Sequence, residues 1–233
     1  MRKFFCLLIL FCSFQLYSEQ FTVKFYLSND EVYAHDFDSN IRLLNLSDTL
    51  FGFNDVLKDY YITKIEGFQQ FKNLRILEIR DFMNILDFSF LDDLPNLTEL
   101  YIDSSLVEDI TFLSNLENLE IIDLFIYVRE ENAQKFFQTE IDLSQLLFLQ
   151  RINFKAMILP EDGESDIPFN SIPNFTNVQN QPQIHLGHNE ISTLNEHQID
   201  LLRQYSQIFL YPNPILNNDE EMDKLKGLMI ILR

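Results

Sequence analysis

The sequence predicts an α/β solenoid, a coil of short stacked units that each join a β-strand to an irregular, 3₁₀-like return arm. Three observations predict it. Between Leu94 and Leu124 one apolar pattern is written twice: Leu94, Leu97, Leu100, Ile102, Val107, Ile110 and Leu113 are followed by Leu116, Leu119, Ile122 and Leu124. The steps Leu100-Tyr101-Ile102 and Ile122-Asp123-Leu124 have period two, which sends alternate side chains to opposite faces of a strand. The flanking apolar residues (Val107, Ile110, Leu113, Leu116, Leu119) recur every third position, a spacing that suits 3₁₀ turns better than an α-helix. One strand with an irregular return cannot bury its apolar side alone, so copies must stack and share a core.

The first residues read as an export signal over 1–18. Arg2 and Lys3 supply the positive start, Phe4 to Phe14 the apolar run, and Ser18 a small residue before a cut. That run is too short to span a membrane, and no transmembrane segment is expected after it. Cys6 and Cys12 are the only cysteines and both lie within it. Cleavage after Ser18 would therefore remove every thiol, and with it disulfides, cysteine nucleophiles and cysteine-based zinc sites.

Residues 19–61 are expected to form an N-terminal cap and a degenerate first unit. Phe21 to Leu27 alternates as a strand, Ser28-Asn29-Asp30 supplies a turn, and Glu31 to Phe37 returns as a second strand. Ile41, Leu44 and Leu46 fit the strand part of the repeat, and Gly52 to Tyr61 reads as an insertion. Repeats then fill 62–233, opening on the arm positions Ile62, Ile65, Phe68 and Phe71.

A ruler through the strands gives Leu77, Leu100, Ile122, Ile152, Ile184, Ile208 and Ile231, at intervals of 23, 22, 30, 32, 24 and 23. The two long intervals hold insertions. That at 128–140 carries helix formers and the Phe136-Phe137 pair, which predicts a short helix. The other, at 159–173, is acidic and rich in proline and reads as an exposed loop. Ile184 to Ile191 and Ile208 to Ile215 both spell L-x-L-x-x-N-x-L, with Asn189 and Asn213 in the asparagine position. Such a side chain bonds backbone groups that the turn after the strand leaves unpaired, and stacks as a ladder. Phe82, Ser105, Tyr127 and Met157 stand there in earlier units, so less regular turns are expected.

At these repeats, over roughly residues 62–233, the chain resembles the leucine-rich repeat superfamily, in its short bacterial class that includes the internalins. The resemblance implies a curved leucine-rich repeat solenoid with a parallel β-sheet on its concave face, used mostly to bind other proteins. No stretch of this sequence matches a wall anchor or an immunoglobulin-like module.

In this register the residues between the core aliphatics project from the concave face: Glu78, Tyr101, Asp123, Asn153, His185 and Phe209. A second column two residues on holds Arg80, Asp103, Phe125, Lys155, Gly187 and Tyr211. Tyr101, Phe125, Phe209 and Tyr211 are not needed for the core, and aromatics so placed are common interface anchors. The competing reading packs them on one another or against the insertions.

A formal net charge of −19 argues against nucleic acid and anionic membrane surfaces as partners, since both would be repelled. His185 and His188 would point to opposite faces of a strand, and no H-E-x-x-H accompanies them, so no metal is expected. Glu161, Asp162, Glu164 and Asp166 lack the spacing of an EF-hand loop. There is no Ser-His-Asp arrangement, and five glycines in the whole chain leave little for a phosphate-cradling loop. The sequence thus predicts a non-catalytic, cofactor-free protein, exported to the periplasm, cell surface or medium, that binds a protein or envelope partner. The alternatives are a cytosolic regulatory subunit of an enzyme, or a metal-dependent enzyme seated on the insertions.

Overall fold

The structure, a computed structural model, describes residues 19–46, 62–80, 85, 87–160 and 167–232. The expected export signal with Cys6 and Cys12, the insertion from Gly52 to Tyr61, Phe82, and residues 161–166 of the acidic loop lie outside the described residues.

Strands β1 (Gln20–Leu27) and β2 (Val32–Asp38) form the expected antiparallel hairpin, with Phe25 opposite Tyr33. Val23, Phe25 and Leu27 alternate inward and are buried. After β3 (Leu43–Asn45), strand β4 (Ile62–Glu66) pairs antiparallel with the other edge of β1, placing Ile65 opposite Phe25. The sequence reading assigns Ile62 and Ile65 to a return arm. They belong instead to this three-stranded sheet, because β1 would otherwise leave an edge of backbone groups unpaired. Gly67 then turns the chain at φ 104°, and a Cβ there would lie 2.7 Å from the Thr22 carbonyl oxygen.

The remaining strands are β5 (Ile76–Arg80), β6 (Glu99–Leu106), β7 (Ile121–Arg129), β8 (Ile141–Asp142), β9 (Arg151–Leu159), β10 (Ile167–Pro168), β11 (Phe175–Thr176), β12 (Gln183–His185), β13 (Gln207–Phe209) and β14 (Ile230–Ile231). Among the described residues, eight strands lie in the order β14-β13-β12-β9-β7-β6-β5-β3, with parallel pairing throughout, and β10 is added antiparallel along the far half of β9. The chain is α/β with a parallel sheet. Leu44, Leu77, Leu100, Ile122, Ile152, Ile184 and Ile208 are lateral partners from strand to strand, and none is more than 4% exposed. The last step differs from the ruler: Ile208 pairs with Ile230, and Ile231 with Phe209. The run Met229-Ile230-Ile231-Leu232 has no apolar/polar alternation to fix its register, so a shift by one costs little.

Return segments contain 3₁₀ turns at Phe68–Gln70, Ser89–Asp93, Thr111–Asn115 and Pro214–Asn217. Aspartates two residues before a backbone amide set several of the returns: Asp87 Oδ1 accepts from Ser89 N at 2.8 Å and Asp109 Oδ1 from Thr111 N at 2.9 Å. The abundant phenylalanines line this side. Phe37, Phe71, Phe68 and Phe90 form a chain of edge-on contacts with centroids 5.4, 5.1 and 4.6 Å apart, joining the hairpin to the first returns.

Helix α1 (Glu130–Gln138) occupies the first insertion as expected and buries Ala133 and Phe136. Its Phe137 lies edge-on to buried Phe154 and stacks flat on Phe169 of the second insertion, with centroids 3.4 Å apart. The two insertions therefore meet on the core side of the sheet. Two further helices, α2 (Glu196–Leu202) and α3 (Asp219–Lys224), were not anticipated. Their signals are local. Asn195 and Gln198 form a capping box, and Asn218 caps a first turn containing Asp219, Glu220 and Glu221.

Strand length follows the asparagine position. β12 and β13, followed by Asn189 and Asn213, are three residues long, whereas β6, β7 and β9 run for eight or nine. Less regular turns were expected where asparagine is missing. At Ser105, Tyr127 and Met157 the chain instead continues as strand, with a register shift between Asp103 and Ser105: with no amide side chain to satisfy a turn's backbone, pairing with the neighbour does so. Tyr127 pairs with Met157, and Arg129 with Leu159.

Candidate functional site

The parallel sheet has one buried face and one half-exposed face. Along β7, Ile122, Leu124, Ile126 and Val128 are buried, while Ile121, Asp123, Phe125, Tyr127 and Arg129 remain partly accessible. The first column of candidate residues lies on that second face in continuous lateral register: Glu78, Tyr101, Asp123, Asn153, His185 and Phe209 are successive strand partners. In the second column Arg80, Asp103, Phe125 and Lys155 are likewise partners.

Gly187 and Tyr211 do not join them. β12 and β13 have ended by then, so both residues lie in the turns that Asn189 and Asn213 hold. Asn213 Oδ1 accepts from Ile191 N at 2.9 Å and Asn189 N at 3.2 Å, and its Nδ2 donates to Leu186 O at 2.8 Å. Asn189 repeats the device one strand earlier, accepting from Ala156 N at 2.9 Å and donating to Phe154 O at 2.8 Å. Both side chains are buried.

The face residues also contact one another. Arg80 Nε donates to Glu78 Oε2 at 3.1 Å, and Asn153 Nδ2 donates to Asp123 Oδ2 at 2.6 Å. Lys155 Nζ sits 4.2 Å from the Phe125 ring centroid, and Tyr127 flanks the same ring. His185 stacks flat on Phe209 with centroids 3.9 Å apart. Tyr101, Phe125 and Phe209 are thus partly covered by face neighbours. Tyr211 is 60% exposed.

Burial raises the Tyr101 phenol to about 12, helped by its 2.7 Å hydrogen bond to Glu99 Oε2. The group stays a donor at any physiological pH. Burial lowers the His185 imidazole below the ordinary histidine value; the Arg151 charge adds to this, and Asp123 opposes it. His185 is therefore a neutral aromatic surface at pH 7.

Sequence reasoning missed a third column, two residues before the first: Glu99, Ile121, Arg151, Gln183 and Gln207 are lateral partners on the same face. Period two alone would have found it. Also missed was a cleft of about 450 Å³ at the ends of β9, β12 and β13, where Lys155 and Met157 meet the turn residues His188, Glu190, Tyr211 and Pro212. Among the described residues, no group of three His, Cys, Asp or Glu side chains is placed to hold a metal ion. None of the described helices is long and apolar enough to cross a membrane.

Comparison with family models and with curated proteins finds no match to this chain.

Proposed function

We propose that the chain is an exported, non-catalytic leucine-rich repeat solenoid that binds a protein partner through the half-exposed face of its parallel sheet. One observation carries the reading. Six unlike side chains, from Glu78 to Phe209, stand in lateral register on a face whose opposite side is sealed in the core. Such a surface mixes charge, amide and ring over a distance of roughly 25 Å, six strands at about 4.8 Å spacing. Aromatic anchors amid fixed polar groups are what protein interfaces use. The inserted aromatics Phe137 and Phe169 pack toward Phe154 on the other side, which leaves this face clear of them.

The test is affinity capture with the wild type and with the double variant Tyr101→Ala/Phe125→Ala. Both side chains lie on the outer face, so the variant should keep its fold and circular dichroism. Proteins recovered by the wild type should be lost from the variant. Equal recovery by both would contradict the reading.

A further inference from the structure

We propose that the cleft between the turns after β12 and β13 is an anchor site for a single aromatic side chain of a protein segment; this rests on the protein-binding reading above. Four features of the cleft support it. Its volume of about 450 Å³ lies within the range of ligand sites and leaves room for one ring and the backbone carrying it. Its apolar wall is Tyr211, Pro212, Leu216 and Met157, a ring, a pyrrolidine, an aliphatic and a thioether, surfaces on which an aromatic group packs well.

The wall is also fixed before any ligand arrives. Asn213 holds the Tyr211 turn through bonds to backbone groups of both turns, and Gly187 lets that turn approach because a Cβ there would collide with the Tyr211 carbonyl oxygen. An exposed ring on an immobilised backbone loses little freedom on binding. Finally, His188 and Glu190 line the cleft with φ of 64° and 52°, a left-handed backbone that non-glycine residues seldom adopt. Strain of that kind collects at ligand sites. These two residues, with Lys155, Asn213 and Asn217, supply the polar part of the lining.

The probe is N-acetyl-phenylalanine amide, titrated into ¹⁵N-labelled protein and followed by NMR, with N-acetyl-alanine amide as the ringless control. Saturable shifts should centre on Met157, Gly187 and Tyr211, and the control should give none. Tyr211→Ala should weaken binding by roughly tenfold, the loss expected of an aromatic anchor, and Tyr211→Phe should restore it. Absence of saturable shifts, or equal binding by Tyr211→Ala, would overturn the proposal. If the probe fails while Tyr101→Ala/Phe125→Ala still loses the captured partner, the cleft inference falls and the face reading stands.

Discussion

The side-chain oxygen of Asn213 receives the backbone N–H of Asn189 at 3.2 Å, so one turn's asparagine is seated by the next. Each also bonds the backbone of its neighbouring unit. Removing Asn213 would strand the buried N–H groups of Asn189 and Ile191 and the Leu210 carbonyl, while Leu186 O keeps its bond from Asn189 Nδ2. An unsatisfied buried group costs about 1–3 kcal/mol. Asn213→Ala should therefore lower stability by at least ~3 kcal/mol in urea unfolding. Asn96→Ala, whose amide bonds Lys72 O from an exposed position, should cost under ~1 kcal/mol.

Gly187 is required by the close approach of the following turn. Gly187→Ala puts a methyl group against the Tyr211 carbonyl oxygen and forces the turn outward. Overpacking of this kind costs about 1–3 kcal/mol. Thermal unfolding should show the loss, and Tyr211 and Pro212 resonances should move while those of Tyr101 stay.

Tyr101 sets an alkaline limit. Its neutral phenol is favoured in the folded state, with a value near 12 against an ordinary 10.0. Below pH 10 both states are protonated and the contribution is complete. As pH rises from 10 toward 12 the unfolded chain ionises first, and that stability is lost. Carbon-13 NMR of the Tyr101 ring should give a titration midpoint well above the ordinary tyrosine value of 10.0. A midpoint near 10 would mean that the Glu99 bond and the burial are absent.

His185 acts in the opposite direction. Its value is depressed, so its contribution is complete above pH 6.5 and falls as acid protonates the unfolded chain first. NMR titration should place His185 below the ordinary histidine value of 6.5, and Arg151→Met should narrow the gap.

Much of this was legible in advance, for physical reasons. Period-two steps and buried aliphatics fix strand positions strongly, so Leu77 through Ile208 fall on one line. Where alternation fails, at Met229 to Leu232, the expected register slipped by one. Residues 62–66 were misassigned because Ile62 and Ile65 satisfy an arm spacing and a twisted strand alike. What decided between them was the open edge of β1, a long-range fact. The cleft was invisible for a similar reason, since it depends on how two turns approach in space. The Asn189 and Asn213 ladder was legible because its chemistry is local to one motif.

Recognition is proposed to use the outer face of the parallel sheet. Photocrosslinking tests it most directly, with benzoyl-phenylalanine placed in turn at Tyr101, Phe125 and Phe148, the last being 59% exposed on a return segment. A captured partner should crosslink from positions 101 and 125 and not from 148. Crosslinks from 148 alone would contradict it.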